Sequence, residues 1–579
     1  MSTSNAETTG HWKSLAQRRA IIEQANGPWK KRTLAGTLDH AAERHGDSPF
    51  VIAEDRVWTY SEIREESRRL AARLLAHGVR PRDHVAIILG NQVEFTIAKF
   101  AVARLGAVAV SVNFMLRQAE IGYILQQADC VALIVMNMFR DHDYLADLDA
   151  LMPRWETGAG GGGYPCLRRV FVVPVEAPLR PGSLPLIDAA WSPSAADLAM
   201  LTEAEAKADP DFRCDVLYTS GTTGHPKGAM ITHDMILRIA YASTYTLARE
   251  PGRRVLFALP MYHVFGYVEC LVAMMFIGGA IVPRIRFDAL DMVEAAERHQ
   301  VGEICCVPLM TQAMLDVVRT RGFNCPSLVA FFNSGGVNPP TIWQDIRDHF
   351  GARELMSGYG MTECSASTCC AISEGDDNVL RNSNGRLKLA GLAAVPGDGA
   401  HLVIYKTIDP ETGADLAPGE KGELMARGYC VTKGYYNKPE ETARAFTPDG
   451  WFHTGDVGTM DADGYVRLMG RIKEAYRCGG EMVMPEEVEN FLKTHPDIEN
   501  VIVVGVPDAR MGEVGCALVV GRGRTPDQKD LTEFCQNRIA RFKIPKYVIP
   551  VAAADLPFTV TGRARRVQLA SDARRRLNL

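Results

Sequence analysis

The sequence predicts a mixed α/β protein. Its large N-terminal domain would combine parallel-sheet α/β subdomains with a β-rich subdomain, and a small, mobile α+β domain would follow. Helical and buried-strand patterns alternate early in the chain, short strands with turn signals follow, and a new mixed unit begins near residue 471. A chain of 579 residues also exceeds what one hydrophobic core usually organises. We therefore expect two domains, 1–470 and 471–579.

Helix and strand patterns are paired in the first part of the chain. Residues 60–77 have apolar side chains at helical spacing and end before a glycine, and residues 83–89 form an apolar run typical of a buried strand. The same pairing recurs at 94–105 with 107–112, and at 120–128 with 130–135. Parallel strands joined by crossover helices are the simplest arrangement for these pairs.

The pattern changes in the second half of the chain. From about residue 398, short alternating strands are separated by turn sequences such as DPETG (409–413) and DADG (461–464), which indicates a β-rich subdomain. Beyond residue 471, helical patterns at 485–494 and 531–539 flank an apolar strand at 501–504. The glycine run at 156–165 has no periodicity, and we expect a surface loop there.

Composition favours a small-molecule partner. The formal net charge of -5 gives no global attraction to nucleic acid or an anionic membrane. The 14 cysteines lack zinc-site spacing, so we expect reduced, structural thiols. The N-terminus lacks the apolar stretch of a secretory signal, and the longest apolar run, near 270–282, is too short to span a bilayer. We expect a cytoplasmic protein.

A loop rich in glycine and hydroxyl groups lies at 215–232, DVLYTSGTTGHPKGAMIT, between two apolar strands. Backbone amides at glycines, side-chain hydroxyls and a lysine together suit a phosphate group. Lys227 follows a proline and not a glycine, so the loop does not match the P-loop pattern of Walker-type NTPases. The predicted phosphate-binding residues are Thr219, Ser220, Gly221, Thr222, Thr223, Gly224 and Lys227.

The string YTSGTTGHPKG (218–228) resembles the signature of the adenylate-forming (AMP-binding) superfamily, and the pattern is closest to acyl-CoA synthetases and aryl-CoA ligases. The resemblance continues in order through LPMYHVFG (259–266), NSGG (333–336), GYGMTE (358–363) and the long run 434–474. It implies an ATP-dependent, AMP-forming ligase that activates a fatty or aromatic acid. It also implies Mg²⁺ as cofactor and a thiol acceptor, which we expect to be coenzyme A. Carrier-protein pantetheine and an amine are the alternative acceptors left open.

The resemblance also assigns roles within these motifs. His263 would lie beside the reacting carboxylate, and Glu363 would hold Mg²⁺, which prefers hard oxygen ligands. Candidate lining residues of the acid pocket are Phe265, Val307, Ser334, Met361 and Cys364. The 259–266 segment lacks the aspartate that binds an α-ammonium group, which disfavours an amino-acid substrate. Nucleotide contacts would come from Gly335, Gly336, Gly358, Tyr359, Gly360, Met361, Thr362, Asp456 and Arg471, with Tyr359 on the base, Thr362 on the α-phosphate and the last two on the ribose.

A hinge is implied at Lys473, about which the small domain would rotate after adenylation. Two half-reactions that share one cleft need two arrangements of residues, and domain rotation supplies them. The residues predicted for the hinge and the acceptor face are Lys473, Arg477, Gly479 and Gly480, and the two glycines would leave room for a pantetheine arm.

The sequence departs from the family near its C-terminus. LPFTVTGRARR (556–566) resembles the turn that precedes the adenylation lysine, but the lysine position is Arg563 and no lysine follows Lys546. Arginine retains the positive charge of lysine. Its guanidinium is planar and broader than an ammonium group, so its fit to the carboxylate and phosphate oxygens of the substrate changes. Three interpretations stay open: Arg563 acts as the adenylation cation, the enzyme activates another acid such as nitrite for transfer to an amine, or the protein binds nucleotide with weak catalysis. The six arginines from 563 to 576 would otherwise form a solvated basic helix.

Overall fold

The computed structural model describes residues 13–157, 163–219, 226–336, 338–339, 341–373, 377–397, 399–479, 481–536, 538–559 and 563–579. A π-helix, Phe265–Val272, lies within the large domain. The α-helices are α1 Leu15–Asn26, α2 Leu34–His45, α3 Tyr60–Ala76, α4 Val93–Arg104, α5 Gln118–Gln127, α6 Tyr144–Leu151, α7 Ala195–Lys207, α8 His233–Thr246, α9 Ala289–His299, α10 Pro308–Arg321, α11 Ile342–Phe350, α12 Asn378–Asn382, α13 Pro439–Ala445, α14 Pro485–Leu492, α15 Gln528–Cys535 and α16 Arg566–Leu577.

The strands are β1 Pro49–Ile52, β2 Val57–Thr59, β3 His84–Ile88, β4 Val108–Ser111, β5 Cys130–Met136, β6 Met138–Phe139, β7 His142–Asp143, β8 Arg169–Val173, β9 Leu184–Pro185, β10 Arg213–Thr219, β11 Lys227–Thr232, β12 Arg254–Phe257, β13 Ala280–Pro283, β14 Glu303–Cys306, β15 Ala330–Asn333, β16 Glu354–Met361, β17 Ala366–Ser373, β18 Arg386–Leu387, β19 Ile404–Ile408, β20 Gly422–Arg427, β21 Phe452–Met460, β22 Val466–Arg471, β23 Tyr476–Cys478, β24 Glu481–Val483, β25 Ile498–Asp508, β26 Gly512–Gly521 and β27 Tyr547–Pro550.

Two large sheets with parallel centres organise the first part of the chain. One has the order β18-β17-β16-β15-β14-β12-β13-β1-β2, and the other has the order β11-β10-β4-β3-β5-β8-β9. Strands β3, β4, β5, β8 and β10 pair with one another in parallel, whereas β11 is antiparallel to β10. In the larger sheet, β14, β15 and β16 are parallel. The carboxyl ends of parallel strands meet at one sheet edge, which is where ligands bind in such sheets.

Sequence explains the individual elements. Helix α3 begins at a capping box, in which Thr59 accepts a hydrogen bond from the backbone of Glu62 and the Glu62 side chain binds back to Thr59. Strand β3 is buried along its whole length, as expected for a central parallel strand covered on both faces. The predicted helix–strand pairs therefore form, with ends that differ by one or two residues.

The later sheets are antiparallel. Strands β19 to β22 form a four-stranded meander, and β23 to β27 form a five-stranded sheet in which β27 alone pairs in parallel. The helices α14, α15 and α16 accompany the five-stranded sheet. A separate hydrophobic cluster made of residues from Tyr476 to Ala573 packs this unit internally, whereas the main cluster extends from Ile22 to Val466. The predicted α/β class is confirmed, and the hinge remains a prediction.

Three local predictions need correction. The predicted strand 501–504 is the centre of the longer β25, Ile498–Asp508. The predicted helix 531–539 begins earlier and ends earlier, at Gln528–Cys535. The sequence predicts that the GYGMTE motif at 358–363 follows an apolar strand, but its GYGM segment forms the last part of β16 itself. Hydrogen bonding to β17 extends β16, and sequence periodicity cannot detect this because glycines carry no hydrophobic signal.

The described part of the chain contains no helix long and apolar enough to cross a membrane. All cysteines are free, and all but Cys166 are buried, which agrees with structural thiols. No cluster of three or more His, Cys, Asp or Glu side chains that could hold a metal ion occurs among the described residues.

Candidate active site

The phosphate loop connects two antiparallel strands. Thr219 ends β10 and pairs in register with Lys227, the first residue of β11. This hairpin brings the lysine back to the strand from which the loop departs. Of the predicted loop residues, Ser220, Gly221, Thr222, Thr223 and Gly224 lie outside the described residues.

Glu363 lies beside this hairpin. Its Oε1 accepts hydrogen bonds from the Tyr435 hydroxyl at 3.0 Å and from Thr219 Oγ1 at 3.3 Å. The Lys227 ammonium lies 5.1 Å from the centroid of the Tyr435 ring, within cation–π range. Four groups from three distant segments therefore meet here. Tyr435 lies in the recognised run 434–474, but no local sequence pattern connects it to Glu363, so its role is visible only in the structure.

A second polar group lies at the end of β16. The Tyr359 hydroxyl donates to Asp456 Oδ2 at 2.7 Å, and Arg471 Nε lies 2.8 Å from Asp456 Oδ1. Asp456 and Arg471 are register partners on β21 and β22, so the antiparallel pairing alone places them together. Tyr359 and Asp456 are buried. Tyr359, Asp456 and Arg471 are all predicted to contact the nucleotide, and their contacts with one another support a single nucleotide site.

The glycines of this region have a structural requirement. A Cβ on Gly360 would lie 2.2 Å from the backbone of Ala366 and Ser367, and a Cβ on Gly358 would lie 2.9 Å from a carbonyl oxygen of β17. A side chain at either position would push β16 away from β17. Gly335, with φ of +90°, and Gly336 are exposed after β15, close to the first turn of α10. Thr362 is buried beside Glu363, and Met361 is half-buried at the strand end.

His263 precedes the π-helix Phe265–Val272. Its Nδ1 accepts the backbone N–H of Phe265 at 3.3 Å, which leaves Nε2 as the nitrogen that carries the proton. Burial, and then the charge of Arg563, lower the pKa of His263 to about 4. The ring is therefore neutral near pH 7 and offers one N–H donor. π-Helical turns are uncommon and often occur at functional sites.

Arg563 reaches this site from the other end of the chain. It is exposed, and its backbone exchanges hydrogen bonds with Thr559, since its N–H donates to Oγ1 at 3.1 Å and its carbonyl accepts from the Thr559 N–H at 2.7 Å. Its guanidinium charge acts on both His263 and Lys473. The position where the family has lysine thus carries a positive charge that acts on the predicted carboxylate site.

The predicted hinge and acceptor residues lie at the junction of the two units. Burial, together with the nearby charges of Arg471 and Arg563, lowers the pKa of Lys473. Arg477 on β23 forms an ion pair of 2.6 Å with Glu411, in the turn after β19. Gly479 adopts a φ of +63°, and a Cβ there would lie 2.6 Å from the Met511 side chain. Gly480 lies outside the described residues.

Two predicted placements differ in the structure. Cys364 is fully buried, with its thiol near the Tyr405 hydroxyl, so it does not face the open side of the site. The predicted solvated basic helix is only partly solvated: Arg566 is largely buried and pairs with Glu489, Glu474 and Glu486. Its acidic partners are distant in sequence, and a count of arginines cannot reveal them.

The family models match both parts of the chain. The AMP-binding enzyme model matches residues 38–436, and the model of the AMP-binding enzyme C-terminal domain matches 487–563. YngI of Bacillus subtilis strain 168, provisionally named an acyl-CoA synthetase, is 32% identical over 552 residues, which is 93% of this chain and 96% of YngI. The mitochondrial medium-chain acyl-CoA ligase ACSF2 of Danio rerio is 30% identical, with 95% of this chain and 90% of ACSF2 covered.

Solved structures of CoA synthetases and ligases have folds similar to that of this chain. The o-succinylbenzoate CoA synthetase MenE of Bacillus subtilis, in complex with the acyl-adenylate intermediate OSB-AMP, superposes with a TM-score of 0.72 at 25% identity, covering 92% of this chain and 97% of MenE. A MenE complex with ATP and a magnesium ion covers 92% and 98% with the same score and identity. The anthranilate CoA ligase AuaEII shares the fold, with a TM-score of 0.80 at 23% identity and coverages of 96% and 100%. The chain therefore belongs to the AMP-binding enzyme family and is an AMP-forming ligase.

Proposed function

We propose that this protein uses ATP to activate a fatty or aromatic carboxylic acid as its acyl adenylate and then transfers the acyl group to the thiol of coenzyme A. One observation carries the proposal: Glu363 accepts hydrogen bonds from Thr219 and Tyr435 beside Lys227, so a carboxylate that could hold Mg²⁺ meets the predicted phosphate loop. The charge of Arg563 in the C-terminal unit also acts on His263 of the large unit. The relatives named as acyl-CoA synthetases and ligases support the same conclusion.

In the first step, a carboxylate oxygen of the acid attacks the α-phosphorus of ATP. The new bond joins this oxygen to the α-phosphorus, the bond from the α-phosphorus to the bridging oxygen breaks, and pyrophosphate leaves. Such a reaction depends on positioning and charge neutralisation, and it needs no protein nucleophile. We assign charge neutralisation to Lys227 and Arg563.

His263 would hold the acid. Because its Nδ1 is committed to the Phe265 N–H, the Nε2–H donates to one carboxylate oxygen and leaves the other free to attack. A neutral ring suits this role, since a second full cation beside Arg563 would hold the nucleophilic oxygen too firmly. The pKa of about 4 keeps His263 neutral throughout the physiological range.

The nucleotide would be held by the group around β16. Asp456 is anionic and accepts only, which suits the two ribose hydroxyl donors, and Arg471 stabilises its charge at 2.8 Å. Tyr359 orients the second carboxylate oxygen of Asp456 through its hydroxyl. The base would then lie near Tyr359, Gly335 and Gly336.

Magnesium fits the residues present. Glu363 offers a buried carboxylate beside the phosphate hairpin, where Thr219 and Tyr435 orient it. Mg²⁺ commonly takes one or two carboxylates together with substrate phosphates and waters, so one protein carboxylate suffices. When bound, the ion would neutralise charge on the phosphate oxygens.

In the second step, the thiol sulfur attacks the acyl carbon and loses its proton to solvent, the bond from that carbon to the phosphate oxygen breaks, and AMP leaves. We propose that rotation of the C-terminal unit about Lys473 brings Gly479 and Gly480 toward the adenylate. Gly479 is in a conformation that favours glycine, so a substitution there would be strained. The relatives give no support to the alternative of nitrite activation for transfer to an amine.

The test is acid-dependent exchange of labelled pyrophosphate into ATP, followed by AMP release on addition of coenzyme A. We expect exchange with at least one fatty or aromatic acid and CoA-dependent AMP formation with the same acid. A panel of carboxylic acids that supports no exchange, while nitrite with an aryl amine does, would overturn the proposal. Exchange without any response to coenzyme A would overturn only the acceptor assignment.

A further inference from the structure

Tyr435 contacts two oppositely charged groups of the candidate site. Its hydroxyl donates to Glu363 Oε1 at 3.0 Å, and the Lys227 ammonium lies 5.1 Å from the centroid of its ring. Tyr435 and Glu363 are both buried, and Lys227 is half-buried. A phenol keeps its proton near pH 7, so its hydroxyl suits the carboxylate while the face of its ring suits the cation.

Lys227 and Glu363 do not pair with each other. In the part of the chain that the structure describes, neither of these two side chains forms an ion pair. Both charges lie against one phenol, where attraction between them is stronger than in bulk water. A direct ion pair would leave the lysine less available to a phosphate group and the carboxylate less available to Mg²⁺.

Sheet pairing fixes the position of Tyr435 relative to Lys227. The Tyr436 N–H donates to the Gly228 carbonyl at 2.8 Å, and Tyr435 itself forms an antiparallel bridge with Ala229. Ala229 and Lys227 are two residues apart on β11, so their side chains lie on one face of that strand. Cross-strand partners share a face, which places the Tyr435 ring on the same side as Lys227.

The segment before Tyr435 also holds the backbone of Glu363. The Thr432 N–H donates to the Glu363 carbonyl at 2.6 Å, and the Thr432 hydroxyl donates to the Met230 carbonyl of β11 at 2.9 Å. Glu363 is therefore fixed both at its carbonyl and at Oε1. No described residue forms a hydrogen bond with Glu363 Oε2, so one carboxylate oxygen is committed and the other is uncommitted within the described structure.

We propose that Tyr435 is a positioning residue that holds Lys227 and Glu363 apart from each other, so that both charges are free to bind MgATP. The inference rests on the proposed function, because it takes Lys227 as a phosphate contact and Glu363 as the Mg²⁺ ligand. Charges that are already separated need not break an ion pair when the ligand binds, and such preorganisation increases affinity.

The test is ATP binding measured by isothermal titration calorimetry, once with excess Mg²⁺ and once with EDTA. Tyr435→Phe keeps the ring beside Lys227 and removes the hydroxyl that holds Glu363. We expect Kd for ATP to rise about tenfold with Mg²⁺, as is usual when a metal ligand loses its hydrogen-bond partner. In EDTA, Kd should stay unchanged.

Tyr435→Leu removes the ring as well as the hydroxyl. Lys227 and Glu363 can then pair directly, so we expect Kd for ATP to rise both with Mg²⁺ and with EDTA. Raising the Mg²⁺ concentration should restore pyrophosphate exchange in Tyr435→Phe but not in Tyr435→Leu. General destabilisation of the fold would not produce this difference.

Tyr436→Phe is the matched control, because it removes the hydroxyl of the next residue, which donates to Asp129 at 3.0 Å. It should change neither Kd. An unchanged Kd with Mg²⁺ in Tyr435→Phe, or an equal rise with Mg²⁺ and with EDTA in that variant, would overturn the inference. Should Tyr435→Leu fail to fold, Tyr435→Phe decides by itself. A wild-type protein that binds MgATP but supports exchange with no acid would overturn the proposed function alone.

Discussion

At the scale of single residues, the guanidinium charge of Arg563 acts on His263, where we propose that the acid binds. It replaces a lysine that the family pattern leads one to expect, and it lies close enough to His263 to lower the pKa of that ring. The backbone N–H and carbonyl of Arg563 both form hydrogen bonds with Thr559, which fix the position from which the Arg563 side chain extends. The position thus keeps a positive charge, although the shape of the cation differs from that of lysine.

Substitution of Arg563 tests this role. We expect Arg563→Ala to reduce pyrophosphate exchange by about 100-fold or more, the usual cost of removing one charge-stabilising donor, while ATP affinity changes little. Arg563→Lys should give a rate between those of the wild type and the alanine variant, because lysine keeps the positive charge but lacks the paired, planar N–H donors of the guanidinium. Arg565→Ala, two residues away and exposed, is the control. An exchange rate unchanged in Arg563→Ala would rule out the role.

Asp456 offers a second test at this scale. Asp456→Asn removes the charge that pairs with Arg471 and weakens acceptance from the ribose hydroxyls. Hydrogen bonds to charged groups contribute about 1.5–3 kcal/mol, so we expect KM for ATP to rise by roughly tenfold or more, with KM for the acid little affected. Asp463→Asn, in the exposed turn before β22, should leave KM for ATP unaltered. Equal KM values for Asp456→Asn and the wild type would contradict the ribose assignment.

Sequence patterns located most of these residues but not their partners. His263, Glu363 and Asp456 lie in strings that resemble motifs of the adenylate-forming superfamily. Tyr435 was not singled out, because its hydrogen bond to Glu363 crosses between two segments that share no local pattern. Arg566 was expected in solvent, and it is buried by three glutamates from other elements. Neither contact follows from spacing along the chain.

At the scale of secondary-structure elements, buried contacts connect helices that are distant in sequence. His233 begins α8, and its Nδ1 accepts the backbone N–H of Leu34, the first residue of α2, at 3.2 Å. Burial, and then the charge of Lys99, lower the pKa of His233 to about 3. A neutral histidine thus ties the starts of two helices together.

This histidine predicts a pH dependence of stability. The folded state keeps His233 neutral down to about pH 3, whereas the unfolded chain protonates it near its ordinary value of 6.5. The unfolded state therefore binds more protons between these values, and the stability that His233 contributes is present above pH 6.5 and falls as the pH decreases toward 3. The slope contributed by one such group reaches about 1.4 kcal/mol per pH unit.

His233→Gln retains a hydrogen-bond acceptor but cannot be protonated. We expect the free energy of unfolding of this variant, measured with urea between pH 7 and 5, to depend less on pH than that of the wild type. The variant should also be somewhat less stable at pH 7, since the amide fits the site differently. A pH dependence identical to that of the wild type would contradict the assignment of a buried neutral histidine.

At the scale of the whole molecule, two hydrophobic cores meet through polar contacts. The main cluster ends at Val466 and the second begins at Tyr476, so the connection between them runs through β22 and Lys473. The ion pair between Arg477 and Glu411 lies across this junction and is largely exposed, at 53% and 63% of the two side chains. Exposed ion pairs contribute about 0.2–1 kcal/mol, so this one can bias a domain arrangement without locking it.

A charge swap tests that bias. Glu411→Arg should weaken the arrangement in which Arg563 faces His263 and lower pyrophosphate exchange by up to about fivefold, with a smaller effect at high salt. Combining it with Arg477→Glu should restore the rate, since the swapped pair attracts again. Glu420→Arg makes the same charge change on a neighbouring exposed residue and should have little effect. A double variant no better than the single one would exclude the ion pair as the cause.

The sequence by itself determined the class of fold, the order of the motifs and the absence of a lysine after residue 546, because helical period, strand alternation and turn chemistry act over a few residues. Only the tertiary structure decided that the charge of Arg563 acts on His263, that Tyr435 connects Lys227 to Glu363, and that Arg566 is buried among three glutamates. Each of these contacts joins segments whose distance is set by how sheets and cores pack. Local patterns carry no information about that packing, so the acid that the site selects is decided by the folded molecule.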